Sequence, residues 1–301
     1  MTQIFLLAGN TTFPDPGNWG LPNRVECVGS GNAGTLNGPS PPQGFYTGPG
    51  GGGGSYGVAN NLTPTFPVNV NVMGPVSGGM FYTTFGSSAA QGKTGALVWA
   101  QSAQASNGGT DFGPAGFAGG NGFFPNSGQS GPGGGGGGAG GPHGAGATGS
   151  GTTGGTGDAG HTPAATNGTQ FDPSHGIGGG GNGGAGGGGS TVAAGNYGAG
   201  GGSQGLPGTG PQGGSPGLLV ITYNPYSLHY GIVRGVTSKS IYMTVKPPSY
   251  AKDDSELDNP AWLQLGGTVG GEALQMLKVD RLTYNSWTSY SQLVAWVAAQ
   301  P

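Results

Sequence analysis

The sequence predicts a mainly β and irregular fold, in which N-terminal strands frame a glycine-rich bundle and a small α+β domain ending in a helix follows. The main observation is that 75 of the 301 residues are glycine, several times the average usage of roughly 7%. The second is their distribution, because residues 1–112 hold 23 glycines, residues 113–217 hold 46 and residues 218–301 hold 6. The third is the presence of short alternating apolar runs in the outer two regions. We take these three regions as the predicted domains.

Composition and charge exclude several classes of function. Charged residues make up 6% of the chain and the formal net charge is −3, so a basic surface for nucleic-acid phosphates is not expected. Cys27 is the single cysteine, which excludes an intramolecular disulfide. The apolar run near Met1 is short and lacks a basic flank, unlike a signal peptide. We therefore expect synthesis in a cytosol, with no cofactor and no metal.

Residues 1–112 are predicted to form four or five short strands. Residues 67–72 alternate apolar and polar side chains with a period of two, as a half-buried strand does. Residues 24–28, 80–85 and 96–100 are rich in β-branched or aromatic residues. Glycine and proline between these runs indicate turns.

Residues 218–301 resemble ordinary globular sequence. Leu218–Tyr223 is a continuous apolar run typical of a buried strand, and residues 231–234 and 240–245 indicate two more strands. We expect a final helix that begins after Ser286 as its N-cap. Its apolar residues recur at spacings of three and four. They are Trp287, Tyr290, Leu293, Val294 and Val297.

Three structures compete for the glycine-rich region. A collagen triple helix needs glycine at every third position, and the consecutive Gly133–Gly138 exclude it. A flexible linker would mix glycine with serine and charge. The third structure is a bundle of extended helices with three residues per turn, the polyglycine counterpart of polyproline II. Recurrent clusters such as Gly178–Gly181, Gly186–Gly189 and Gly200–Gly202, joined by more varied segments, favour this ordered bundle over disorder.

The order of the motifs resembles a known family. TFPDPGNW at residues 12–19 leads into VECVGSG at residues 25–31, and TTFGS follows at residues 83–87. The glycine clusters come next and are closed by PGLLVITY at residues 216–223. This order resembles the glycine-rich tail-fibre proteins of bacteriophages and prophages, and the glycine core is similar to the polyglycine II sandwich adhesins of T-even-type phages. The resemblance covers residues 10–223, and residues 224–301 match no family.

The resemblance implies a structural component of a phage virion, found in its tail and made in the host cytoplasm. Its partners would be other virion tail proteins and a host cell-surface receptor, either a glycan or an outer-membrane protein. The resemblance also implies a homo-oligomer such as a trimer. Head decoration or fibre attachment remains an alternative, as does an extracellular glycine-rich structural protein.

Candidate binding residues follow from exposed aromatic groups, which commonly anchor interfaces. In and beside the glycine region we expect receptor contacts at Phe123, Phe124, Phe171, His175 and Tyr197. In the final helix we expect an oligomer or docking interface at Trp287, Tyr290, Val294 and Val297.

No catalytic residues are predicted, and we expect a protein that is not an enzyme. The pattern G-x-S-x-G occurs three times, as glycine-rich composition alone would produce, and none lies between a strand and a helix. A depolymerase would need a close pair of carboxylates in a groove. Outside an acidic run at residues 253–258, Glu272 and Asp280 are the acids that the last domain offers.

Overall fold

The described residues form two compact units. The first, here called the glycine-rich unit, comprises residues 2–14 and 22–222, and the second, the C-terminal unit, comprises residues 1, 15–21 and 223–301. Both units are mainly β; within the described residues, α-helices occur near the end of the chain, and one short 3-10 helix lies at Asp158–Gly160. The computed structural model describes residues 1–9, 11–17, 19–35, 48–75, 80–87, 93–124, 132–182, 193–203, 213–223, 229–245 and 268–301.

The strands of the glycine-rich unit are short, as the glycine and proline between them predict. Five of them form one sheet in the order β1-β10-β3-β4-β9 and the other five form a second sheet in the order β2-β5-β6-β7-β8. In chain order the strands are β1 (Thr2–Leu6), β2 (Thr12–Phe13), β3 (Asn23–Val28), β4 (Tyr56–Asn60), β5 (Val68–Asn71), β6 (Tyr82–Phe85), β7 (Val98–Gln101), β8 (Phe112–Gly113), β9 (Ala115–Phe117) and β10 (Leu218–Tyr223).

The two sheets pack against each other through β3 and β4 of the first and β6 and β7 of the second. β3 and β4 are antiparallel, with Val28 opposite Tyr56. Cys27, Phe85 and Val98 are fully buried between the layers. The strands predicted at residues 24–28, 67–72, 80–85, 96–100 and 218–223 are confirmed, with ends that differ by up to two residues.

The glycine segments between these strands exchange backbone hydrogen bonds with other segments rather than within themselves. Gly135–Gly140 shows this most fully. The segments that accept its N–H hydrogen bonds repeat with a period of three residues. Every third donor returns to the same neighbouring segment, at distances between 2.8 and 3.3 Å. Gly135 and Gly138 donate to Gly151 and Ala147, Gly136 and Ala139 donate to Gly181 and Gly178, and Gly137 and Gly140 donate to Gly51 and Gly54.

The carbonyl groups of this segment accept hydrogen bonds from three further segments. The donors are the N–H groups of Phe123 and Gly120, of Gly155 and Asp158, and of Gly200. The segment is therefore surrounded by six others. No residue larger than glycine fits at Gly137, since a Cβ atom there would lie closer than 3.0 Å to the backbone of Gly120. This close approach explains the glycine content of the region.

The C-terminal unit is a small α+β structure. Its antiparallel sheet has the order β12-β11-β14-β13. The apolar core joins this sheet to the last helix through Ile232, Val279, Leu293 and Val297. The elements are β11 (His229–Gly235), β12 (Ile241–Val245), β13 (Thr268–Val269), β14 (Glu272–Asp280), α1 (Arg281–Ser286) and α2 (Tyr290–Ala299). The strands predicted at residues 231–234 and 240–245 are thus confirmed as β11 and β12.

The predicted start of the final helix was wrong. Ser286 ends the short helix α1 instead of capping the last one, and Asp280 caps α1 by accepting a hydrogen bond from Thr283 N at 2.8 Å. Helix α2 begins three residues later, after Ser289, whose N–H donates to Gln292 Oε1 at 3.2 Å. Trp287 between the helices is extended, with φ −74° and ψ 124°. The predicted helix therefore starts three residues later than expected, and the short helix α1 before it was not predicted.

Candidate functional site

The glycine segments have two ends, and the predicted receptor residues divide between them. The far end lies at Phe123, Gly135 and Gly151, which are joined by backbone hydrogen bonds. The strand end lies at Ala139, Gly178 and Tyr197, which are joined in the same way. Gly54 also lies at the strand end, two residues before β4, and donates to Gly198 O at 2.7 Å.

Phe123 and Phe124 lie at the far end. Phe123 is part of the glycine network, because its N–H donates to Gly135 O at 2.8 Å and its carbonyl accepts from Gly50 N at 3.1 Å. The side chain of the next residue, Phe124, is 61% exposed. Beside them, the chain reverses in a tight turn in which Ser150 and Thr153 exchange hydrogen bonds. Among the described residues, this end therefore presents the exposed Phe124 side chain beside a hydrogen-bonded backbone.

Phe171, His175 and Tyr197 lie together at the strand end. The His175 ring stacks on Phe5 of β1, with centroids 3.9 Å apart and planes 6° apart. Tyr197 lies near the same histidine, at a centroid distance of 5.8 Å and an interplanar angle of 13°. Phe5, Phe171 and Tyr197 also pack on a buried core that contains Ile177. The structure thus brings three of the five predicted receptor residues together, but only partly exposed.

Asp172 holds His175 in this stack. Its Oδ1 accepts hydrogen bonds from Ser174 N at 2.6 Å and His175 N at 2.7 Å, which closes a tight turn. Its Oδ2 lies 2.8 Å from His175 Nδ1. The hydrogen bond from His175 lowers the pKa of the Asp172 carboxyl, and the negative charge of Asp172 adds to burial in raising the pKa of Tyr197.

A buried carboxylate lies at the same end. Asp158 is fully buried at the backbone turn that follows Gly157, and it has the left-handed φ of 49°. It accepts hydrogen bonds from His143 N at 2.7 Å and from Gln170 Nε2 at 3.0 Å, and its Oδ2 lies 2.6 Å from His143 Nδ1. The His161 ring lies 4.1 Å from that of His143. Asp158 therefore ties two turns of the bundle together.

Gln170 connects this carboxylate to the aromatic stack. Its Oε1 accepts a hydrogen bond from Ile177 N at 2.8 Å, while its Nε2 donates to Asp158. Ile177 is fully buried against Phe171 and Tyr197. The strand end is consequently one continuous polar and aromatic network.

Buried polar side chains of β3 and β4 are paired with each other. Glu26 is buried, accepts a hydrogen bond from Arg24 Nη2 at 3.1 Å and also accepts one from the Tyr56 hydroxyl. Burial and the charge of Glu26 raise the pKa of Tyr56 and of the Cys27 thiol. Cys27 is thus held protonated and enclosed, unlike a reactive thiol.

The predicted interface residues of the last helix divide between two sides. Val297 is buried in the core of the C-terminal unit, while Tyr290 and Val294 are 67% and 42% exposed. Trp287 precedes the helix and packs between Tyr284 and Trp296, at centroid distances of 5.3 and 5.6 Å. Tyr290 and Val294 are therefore the two residues of this set that remain free to meet a partner surface.

The two acids considered for catalysis do not form a pair. Glu272 and Asp280 are the first and last residues of β14, which separates their backbones by about 26 Å at the usual rise of a strand. Each also binds local backbone, Glu272 at Thr237 N (2.6 Å) and Asp280 at Thr283 N (2.8 Å). The acidic run at residues 253–258 and the cluster Gly186–Gly189 lie outside the described residues.

Sequence reasoning missed Phe5, Asp158 and Asp172 as partners of the predicted residues. The spacing of Asp172 and His175 carries a local signal, since an aspartate often closes a turn onto the residues that follow it. Phe5 and Asp158 carry no such signal, because their partners are distant in the sequence.

Further comparisons add no assignment. Within the described residues, no three His, Cys, Asp or Glu side chains are grouped as metal ligands. None of the described helices has the length and hydropathy needed to cross a bilayer. No protein-family model matches the chain, and no curated protein is significantly similar to it.

Proposed function

We propose that the glycine segments form a polyglycine II bundle. The period of three in the donors of Gly135–Gly140 carries this proposal, because a left-handed extended helix has three residues per turn and no internal hydrogen bonds. In such a helix the N–H groups point outward in three directions and the C=O groups in three others. This accounts for the three segments that accept from Gly135–Gly140 and the three that donate to it. Steric exclusion of a Cβ atom at Gly137 supports the same packing.

We further propose that the chain is a structural component of a bacteriophage virion, namely a tail-fibre protein involved in host-surface attachment. The support is the order of motifs over residues 10–223 together with the hydrogen-bonded glycine segments. Such a bundle has almost no charge and satisfies its buried backbone groups internally. It would serve as a stiff framework on which end residues can vary. In this proposal the chain performs no catalysis. It forms a homo-oligomer, and this oligomer attaches to other tail proteins.

The far end is the better candidate for receptor contact. Phe124 is exposed there, whereas Phe171, His175 and Tyr197 are partly buried in the network of the strand end. An exposed aromatic side chain on a rigid backbone loses little entropy on binding. The receptor would be a glycan or an outer-membrane protein of the host.

Localisation on the particle tests this proposal. Virions from the source of the sequence would be purified and labelled with an antibody against the chain and, as a control, with one against the major capsid protein. Label on the tail fibres is expected. Label on the head would favour the alternative of a decoration protein, and absence of the chain from purified particles would contradict a virion role.

Competition for adsorption tests the receptor residue. Purified chain should slow adsorption of the virus to its host, and Phe124→Ser should weaken this effect. Phe117→Ser is the matched control, because Phe117 is 40% exposed on β9. Equal competition by both variants would show that Phe124 is not a receptor contact.

A further inference from the structure

A pocket opens on the C-terminal unit where helix α2 begins. Its volume is about 320 Å³, at the lower end of the range of roughly 300–1,000 Å³ that is common for small-molecule sites. The pocket lies between the two helices and is open to solvent on one side. It is lined by Tyr284, Trp287, Thr288, Ser289, Tyr290 and Leu293.

The aromatic wall of this pocket is held in place by other aromatic rings. Tyr284 packs edge-on against Tyr230, at a centroid distance of 4.8 Å and an interplanar angle of 88°. Trp287 packs between Tyr284 and Trp296. Because Tyr284 and Trp287 are each held by neighbouring rings, they lose little conformational entropy when a ligand binds.

The rim of the pocket is polar but uncharged. Thr288, Ser289 and Tyr290 carry hydroxyl groups, and none of the six lining side chains carries a charge at neutral pH. Thr288 Oγ1 lies 3.4 Å from Gln292 Oε1 and Ser289 Oγ lies 2.9 Å from Ser291 Oγ, and each oxygen keeps a lone pair that can accept a further hydrogen bond. Gln292 fixes the backbone of the rim, since its Oε1 accepts hydrogen bonds from Thr288 N at 2.7 Å and Ser289 N at 3.2 Å. A charged ligand would lose its hydration here without gaining an opposite charge.

We propose that this pocket binds a neutral pyranose sugar. A pyranose has one face of C–H groups, which packs on an aromatic ring, and a rim of hydroxyl groups, which exchange hydrogen bonds with serine, threonine and tyrosine. Trp287 and Tyr290 supply the rings, and Thr288 and Ser289 supply the hydroxyl partners. The site rests on the geometry of the C-terminal unit alone and does not depend on the proposed role in a virion.

Binding would be measured on the full chain by saturation-transfer-difference NMR. The probes are the methyl glycosides of glucose, galactose, mannose and N-acetylglucosamine. At least one should give a saturable signal, strongest on the C–H protons of one ring face. Tyr290→Ala should raise its dissociation constant about tenfold, the loss expected for one stacking contact. Thr288→Val removes one hydroxyl with little change of shape and should raise it about fivefold.

Tyr242→Ala is the matched control. Tyr242 is 43% exposed on β12 and does not line the pocket, so this variant should bind the sugar as the original chain does. If no glycoside gives a signal, or if Tyr242→Ala weakens binding as much as Tyr290→Ala, the proposal is overturned. Binding of phenol or indole without any glycoside would also overturn it, since the pocket would then select aromatic ligands.

Discussion

Gly137 donates its backbone N–H to the carbonyl oxygen of Gly51 at 2.8 Å, although the two residues belong to different regions of the sequence. A Cβ atom on Gly137 would overlap the backbone of Gly120, which cannot move as a flexible side chain could. We therefore expect Gly137→Ala to lower the free energy of unfolding of the glycine-rich unit by about 1–3 kcal/mol. Chemical denaturation followed by circular dichroism would measure the change.

Gly213→Ala is the control for this substitution. Nothing lies within 4 Å of the position that its Cβ would take. The change should be neutral or should stabilise the chain by about 0.4–1 kcal/mol, because alanine restricts the unfolded chain. Equal effects of the two substitutions would contradict the close packing of the glycine segments.

Limited proteolysis should distinguish the exposed Phe124 at the far end from the buried core of the strand end. Thermolysin cuts before large apolar residues, and Phe124 is exposed while Ile177 is fully buried. Cleavage at Phe124 should precede cleavage at Ile177 in the native chain, because a buried bond is reached only after local unfolding. Mass spectrometry of the fragments would give the order. In urea both sites should be cut, and equal rates without urea would show that the bundle is not packed.

Alkaline pH should weaken the second sheet through Tyr82. Burial, a hydrogen bond to Asp111 at 3.0 Å and the charge of Asp111 raise the pKa of Tyr82 to about 12 from its ordinary value of 10.0. Between pH 10 and about 12, the Tyr82 hydroxyl thus keeps its proton in the folded state and loses it in the unfolded state. Its contribution to stability is complete below pH 10 and is lost as the pH rises to about 12.

Tyr82→Phe isolates this effect. The variant lacks the hydroxyl but keeps the contact between Lys93 and Asp111. The difference in free energy of unfolding between the two proteins should shrink from pH 9 to pH 12, as measured in urea. A difference that stays constant over this range would contradict the assignment of the raised pKa to Tyr82.

Arg234 should be essential to the C-terminal unit. Its buried guanidinium donates to the carbonyl oxygens of Val297 at 2.8 Å and Gln300 at 3.1 Å, at the end of α2 where backbone carbonyls run short of intrahelical donors. Arg234→Met should cost about 1–3 kcal/mol, because the hydrogen bonds of its buried guanidinium to the end of α2 and to Gln275 are lost. Thermal denaturation would measure it. Lys278→Met, an exposed change on the neighbouring strand, should cost less than about 0.5 kcal/mol.

The strands were the most predictable part of this protein. The alternation at residues 67–72 and the apolar run Leu218–Tyr223 depend on local pattern, and both became strands. The start of the last helix could not be predicted in the same way. The apolar spacing begins at Trp287, but Ser289 caps the last helix and Asp280 caps an earlier one through contacts that the spacing does not record.

The receptor residues were less predictable, because their positions depend on contacts between distant segments. Phe123 and Tyr197 both follow the expected pattern of aromatic residues near glycine. Only the hydrogen-bond pairing of Gly135 with Phe123 and of Gly178 with Tyr197 places them at different ends. The recurrent glycine clusters favour ordered segments, but they do not predict which segments are neighbours.

The pairing of Gly137 has a consequence for the growing chain on the ribosome. Its carbonyl accepts from Gly200, and Gly136 donates to Gly181, so partners of the central segment emerge well after the segment itself. At about 5–20 residues per second, its backbone waits several seconds in water before its neighbours exist. The central glycine segment therefore cannot complete its hydrogen bonds one by one during translation. The bundle must assemble in a single late step, after β10 has left the exit tunnel.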